Sequence, residues 1–145
     1  MARFHMHMSV SDLAESIRFY SILFGSAPDV MKDDYAKWEL GDPKVNFAVS
    51  TRGRRPGLDH VGIQAESDAA LAALRGRLDA AGLPGVAQPN TTCCYARSDK
   101  YWTIDPQGIP WETFHSLDTV PTFGAQSGSA EGGSACCVPS LPGAH

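Results

Sequence analysis

One pattern occurs twice in this chain, and a repeat of that kind limits the fold more tightly than any composition does. In its first copy Phe4, Met6, Met8 and Val10 alternate with His5, His7 and Ser9, the period of a strand with one apolar face. Asp12 stands three residues before Glu15, a capping arrangement for the free N–H groups of a helix start. Leu13, Ile17, Tyr20 and Phe24 follow at helical spacing until Gly25 and Pro28. The second copy runs as a strand over 58–63, a cap at Ser67 or Asp68, a helix carrying Leu71, Leu74 and Leu78, and a stop at Gly82 and Pro84. Short strand-like pieces follow each helix, with Trp38 before Asp42-Pro43 in one half and Trp102 before Asp105-Pro106 in the other. The expectation is an α+β chain of two βαβββ modules, near residues 3–52 and 57–117.

Beyond about Leu117 the composition turns to Gly, Ser, Ala and Pro, so 118–145 is expected to be a flexible tail and 1–117 the folded domain. Each module is too small for a generous core; side-by-side packing in a monomer, or pairing in a homodimer, is expected to complete it. With 12 basic against 16 acidic residues the chain has no basic stripe for a phosphate backbone, which argues against nucleic acid as a partner. No apolar run reaches the roughly 18–20 residues that cross a bilayer, and no basic segment leads into an apolar core at the N-terminus. A cytoplasmic protein with no membrane partner is expected. The four cysteines form two adjacent pairs, Cys93-Cys94 and Cys136-Cys137, and a disulfide between chain neighbours would close a strained ring. They read as thiols kept reduced.

Duplication brings equivalent strands, and with them equivalent side chains, to the seam between the halves. His5 and His60 each lie in the strand before a capped helix, on the face opposite the residues that pack under it, so both imidazoles are expected to face one concavity. Glu112, in the last strand (WETF), alternates with Trp111 and Thr113 and can join them as a carboxylate ligand. Two histidines and a carboxylate leave positions open on a divalent ion. The set suits ferrous iron, with zinc, nickel, manganese and cobalt as competitors. A lone histidine is more often an ordinary polar residue on a solvated face; the matched positions are what favour a ligand role here. His7 shares the face of His5 and is the alternative first ligand, or a group close to substrate. The run Arg52, Arg54, Arg55 reads as a solvated linker between the modules.

Cys93 and Cys94 stand in the run TTCCY. Neighbours in a regular strand point to opposite faces, so two sulfurs grasping one atom require a turn, which Pro89 and Asn90 just upstream favour. Thiolates prefer soft centres such as trivalent arsenic or cadmium. The plainer reading makes both cysteines small buried hydrophobes, against which stand the two polar threonines beside them. Cys136-Cys137, in a segment with no core to enter, suits capture and delivery of the same soft ligand. Tyr95, Arg97, Lys100, Tyr101 and Trp102 lie close by in sequence and receive no role.

These residues resemble the glyoxalase and bleomycin-resistance, or vicinal oxygen chelate, superfamily, and within it the organoarsenical carbon–arsenic lyase and cadmium-induced (ArsI/CadI) group. The likeness covers residues 3 to 117 and rests on RFHMHMSVSDLAESIRFYSILFG, YAKWELGDPKVNFAVSTR, GLDHVGIQ and TTCCYARSDKYWTIDPQGIPWETF, of which TTCCYA is the specific part. It implies the vicinal oxygen chelate fold, a cupped, barrel-like mixed sheet. It also implies an Fe(II)- and dioxygen-dependent cleavage of the bond between carbon and trivalent arsenic in a small thiophilic organoarsenical. Carried over residue by residue, the catalytic metal ligands are Glu112, His60 and, at a first-strand place held by glutamine in some members, His5, with His7 two residues on. The substrate thiols are Cys93 and Cys94. Two other functions remain open at this point: a cadmium- or arsenite-binding resistance protein that breaks no bond, and another lyase or dioxygenase of the same superfamily.

Overall fold

The computed structural model describes residues 1–53, 55–119 and 138–141. The elements follow the duplicated order: β1 (Arg3–Ser9), α1 (Leu13–Phe24), β2 (Val30–Met31), β3 (Tyr35–Gly41) and β4 (Lys44–Ser50), then β5 (Gly57–Gln64), α2 (Asp68–Ala80), β6 (Gly85–Cys93), β7 (Ala96–Ile104) and β8 (Pro110–Thr119). All eight strands join one curled mixed sheet in the order β2-β3-β4-β1-β5-β8-β7-β6. Each half contributes four adjacent strands, and the halves meet where β1 pairs antiparallel with β5. Within each half the strand before the helix lies parallel to the last strand, β1 to β4 and β5 to β8, because the helix carries the chain back across one face. No helix of the described residues is long and apolar enough to cross a membrane. Arg54, Cys136 and Cys137 lie outside the described residues.

Local chemistry explains both helix starts. Asp12 Oδ1 accepts from the backbone N–H of Glu15 at 3.0 Å, and Ser67 Oγ accepts from that of Ala70 at 3.1 Å, so of the two candidate caps for α2 it is Ser67 that serves. Gly25 ends α1 with φ +69°, a conformation that residues with a β-carbon reach only at a cost. Under α1, Ile17, Tyr20 and Phe24 pack on Trp38, Phe47 and Val49 of β3 and β4, with Trp38 wholly buried. Truncating Phe47 to Ala there costs about 3–5 kcal/mol. The second helix is alanine-rich and fits less closely: an apolar cavity of about 560 Å³, lined among others by Ile63, Leu74, Leu78 and Trp111, remains between it and the sheet.

The opposite, concave face reverses the usual expectation for an alternating strand. On β1 the polar residues His5, His7 and Ser9 are buried, whereas Met6 and Met8 are only partly so. The sheet curls over its polar face, and the tip of the β6–β7 hairpin reaches across to pack Cys94 and Tyr95 on Tyr35 and Ala48 of the other half. That enclosed polar floor is the feature the rest of the site is built on.

Candidate metal centre

The strand register lines up a row of side chains across five strands. Asn46 on β4 pairs with His5 on β1, His5 with Gly62 on β5, Gly62 with Glu112 on β8, and Glu112 with Trp102 on β7. His60 lies on the same face of β5 two residues before Gly62, opposite His7. A glycine is required in the middle of the row: a β-carbon on Gly62 would stand 1.9 Å from the carbonyl oxygen of Glu112.

Three expected donors meet over this row. His5 Nε2 is 3.1 Å from His60 Nε2, His60 Nε2 is 3.0 Å from Glu112 Oε2, and His5 Nε2 is 3.4 Å from the same oxygen. Donors sharing one ion at about 2.1 Å lie about 3.0 Å apart at a right angle and about 3.4 Å apart at the tetrahedral angle, so these separations suit one small divalent ion.

The outward nitrogens fix which atoms face inward. His5 Nδ1 lies 3.1 Å from the Asn46 carbonyl oxygen and 3.2 Å from its Oδ1, and His60 Nδ1 lies 2.7 Å from Asp59 Oδ1. Those partners only accept, so each Nδ1 carries its proton and donates, and each ring turns its Nε2 to the centre. Lys100 Nζ donates to Glu112 Oε1 and leaves Oε2 to the imidazoles.

Charge follows the same plan. Burial disfavours a second proton on His5 and pushes its pKa down. Burial acts likewise on His60, but the Asp59 and Glu112 carboxylates outweigh it and raise its pKa to about 9. Burial also opposes an ionised Glu112, yet Lys100 and the two imidazoles hold its carboxyl well below the usual range. The cluster therefore favours positive charge between Nε2 of His60 and Oε2 of Glu112, where a divalent cation fits.

His7 offers a second grouping, since its ligand atom and those of His5 and His60 lie within 4.8 Å of one another. Its Nε2 is engaged with Ser50 Oγ at 2.9 Å. We favour the set containing Glu112, whose contacts are shorter and whose charge balances the ion. His7 lines the same cavity from beside it.

The thiol pair faces this cavity: Cys93 and Cys94 line it together with His5 and Glu112. Cys93 ends β6 and Cys94 enters a two-residue turn, so the sulfurs lie 3.3 Å apart rather than on opposite faces. That separation is well beyond an S–S bond of about 2.05 Å. The expectation that all the thiols are reduced needs correction, because Cys93 is disulfide-bonded. Ring strain argues only against a bond between chain neighbours, not against a disulfide as such. An open basin of about 550 Å³, with Lys32, Lys37 and Tyr95 on its walls, reaches Cys94 from outside.

Asn46, Asp59 and Lys100 escaped the sequence reading. Asp59 was the hardest to see, because neighbours on a strand should point apart. The β1–β5 register skips it between the pairs His7–His60 and Met8–Leu58, and this bulge lets its carboxylate reach the next residue's ring. Lys100 could have been found from the alternation Ser98, Lys100, Trp102 opposite Tyr101, which puts a buried ammonium beside a buried carboxylate.

Residues 3–113 match the Glyoxalase/Bleomycin resistance protein/Dioxygenase superfamily. A trivalent organoarsenical cleaving enzyme of Bacillus sp. (strain MD1) is 44% identical over 119 residues, which are 80% of this chain and 74% of that protein. The cadmium-induced protein CadI of Mycobacterium tuberculosis (strain ATCC 25618 / H37Rv) is 35% identical over 126 residues, 86% of this chain and 83% of that one. The Mn(II)-bound glyoxalase from Novosphingobium aromaticivorans has the same fold, with a TM-score of 0.59 and 19% identity over 90% of this chain, which spans only 44% of that larger one. The chain thus belongs to the glyoxalase, bleomycin resistance protein and dioxygenase superfamily, in the family that includes those organoarsenical-cleaving and cadmium-induced proteins.

Proposed function

We propose that the protein cleaves the carbon–arsenic bond of trivalent organoarsenicals in a reaction that uses ferrous iron and dioxygen, in the cytoplasm. The observation that carries this reading is that one cavity is lined by the donors His5 and Glu112 and by the sulfurs of Cys93 and Cys94. The relatives' names support the substrate class.

His5, His60 and Glu112 would hold the ion on one side, leaving its other positions open, as two imidazoles and one carboxylate suit iron. When bound, ferrous iron supplies the one-electron chemistry that lets dioxygen react with carbon. Zinc, nickel, manganese or cobalt can occupy the same donors without supplying that chemistry equally well. The chain's other contribution is positioning. Once the Cys93 disulfide is reduced, two thiolates 3.3 Å apart can grip one arsenic atom and turn its carbon substituent toward the three donors. Phe114 on the cavity wall, and buried Trp102 against the His60 ring, keep bulk water from the reacting carbon.

The test is direct. Reduced protein loaded with ferrous iron and methylarsenite under nitrogen should release arsenite only when air is admitted. A stoichiometric complex that never turns over would replace this reading with that of a cadmium- or arsenite-binding protein. Cys93→Ser and Cys94→Ser should each abolish release while leaving the iron content unchanged, as measured by metal analysis of anaerobically purified protein.

A further inference from the structure

The turn that carries the thiols is unfavourable in its own right. β6 and β7 are joined by only Cys94 and Tyr95, with φ of +53° and +60°, between the paired residues Cys93 and Ala96. A two-residue hairpin needs such left-handed angles to match the strands' twist, and glycine or asparagine normally provides them. Residues that bear a side chain adopt such angles only at a cost, and a conformation of that kind persists only when its surroundings impose it.

The surroundings do so from the other half of the sheet. The Tyr95 hydroxyl donates to Asp34 Oδ1, 61 residues away in the loop before β3, and Arg52 Nε donates to the second oxygen of the same carboxylate. The Tyr95 ring packs 5.6 Å from that of Tyr35, and the Lys32 ammonium lies 5.5 Å from its centre. Shifts in both groups accord with this contact. Burial would raise the Asp34 carboxyl, but Tyr95 and Arg52 hold it below its ordinary value; burial and Asp34 together push the Tyr95 phenol up to about 12.

We propose that Tyr95, through Asp34 and Arg52, is a positioning residue that clasps the hairpin tip in the left-handed turn and so brings the two sulfurs to one side. Without the clasp the tip can relax to ordinary angles, and the sulfurs separate toward opposite faces as in a regular strand. The inference rests on the reading that both thiols hold one arsenic atom. It places control of that chelate in a residue touching neither arsenic nor metal.

The experiment uses the reduced full-length chain and compares wild type with Tyr95→Phe, Asp34→Ala, which leaves the hydroxyl no acceptor there, and the double variant. Phenylarsine oxide, which needs two sulfurs, and methylmercury, which needs one, are each titrated in competition with a soluble thiol. Each single variant should bind phenylarsine oxide at least tenfold more weakly, the double variant no more weakly than either single one, and all should bind methylmercury as wild type does. Wild-type affinity for phenylarsine oxide in Tyr95→Phe, additive losses in the double variant, or an equal loss toward methylmercury would each overturn the clasp. Should wild type bind no arsenical, the proposed function fails instead. The clasp is then judged by the yield with which dibromomaleimide bridges Cys93 and Cys94: a fall in Tyr95→Phe supports it, and an unchanged yield refutes it.

Discussion

Around His60 the identity of single atoms decides what the site can hold. Asp59 on Nδ1 and Glu112 near Nε2 place this ring between two carboxylates, so it accepts positive charge on either side. Replacing Glu112 by Ala removes the anionic donor and leaves Lys100 buried without its counter-charge, so ferrous iron should be lost on desalting and the apoprotein should melt at lower temperature. Asp59→Asn is milder, because an amide still accepts from Nδ1 but carries no charge. Metal affinity should fall about 10–100-fold with the fold intact, as competition with a coloured chelator would measure. Of these residues the candidate ligands His5 and His60 could be picked out in the sequence, because each stands seven positions before a helix N-cap, Asp12 and Ser67. Asp59 could not, since a bulge follows from pairing across strands and leaves no trace in local alternation.

At the scale of elements, the seam strands are held in register by what is absent as much as by what is present. Gly62→Ala would drive a methyl group into the backbone of β8 at Glu112. It should cost about 1–3 kcal/mol in thermal or denaturant unfolding and weaken metal binding at the same time. Asp12→Ala, by contrast, removes a cap from α1 on the far side of the sheet, and should cost about 1 kcal/mol while leaving metal affinity alone. Helix α1 and strand β1 were plain in the sequence because cap, period and stop agree. The β6–β7 hairpin was only partly so: adjacent cysteines implied a turn, but nothing local announced that its tip is anchored to Asp34, a contact that exists only once the two halves have closed.

In the whole molecule, duplication explains why a chain of this size encloses a polar cavity. Neither four-stranded half could bury His5, His7, His60 and Glu112; joined along β1 and β5, with the hairpin tip folded over them, they do. The fold was legible in the sequence because the repeat is, and the eight-stranded curled sheet follows from it. The deep burial of the histidine face was less so, since alternation alone marks the methionines as the inner side. The central claim, that one cavity gathers an ion and a dithiol-bound arsenic, is tested most directly by the crystal structure of the reduced protein grown without oxygen, with ferrous iron and phenylarsine oxide present. The expected result is iron bonded to His5 Nε2, His60 Nε2 and Glu112 Oε2, with arsenic on both sulfurs and its phenyl carbon turned to the iron. Iron held elsewhere, or arsenic bound away from the Cys93–Cys94 pair, would contradict it.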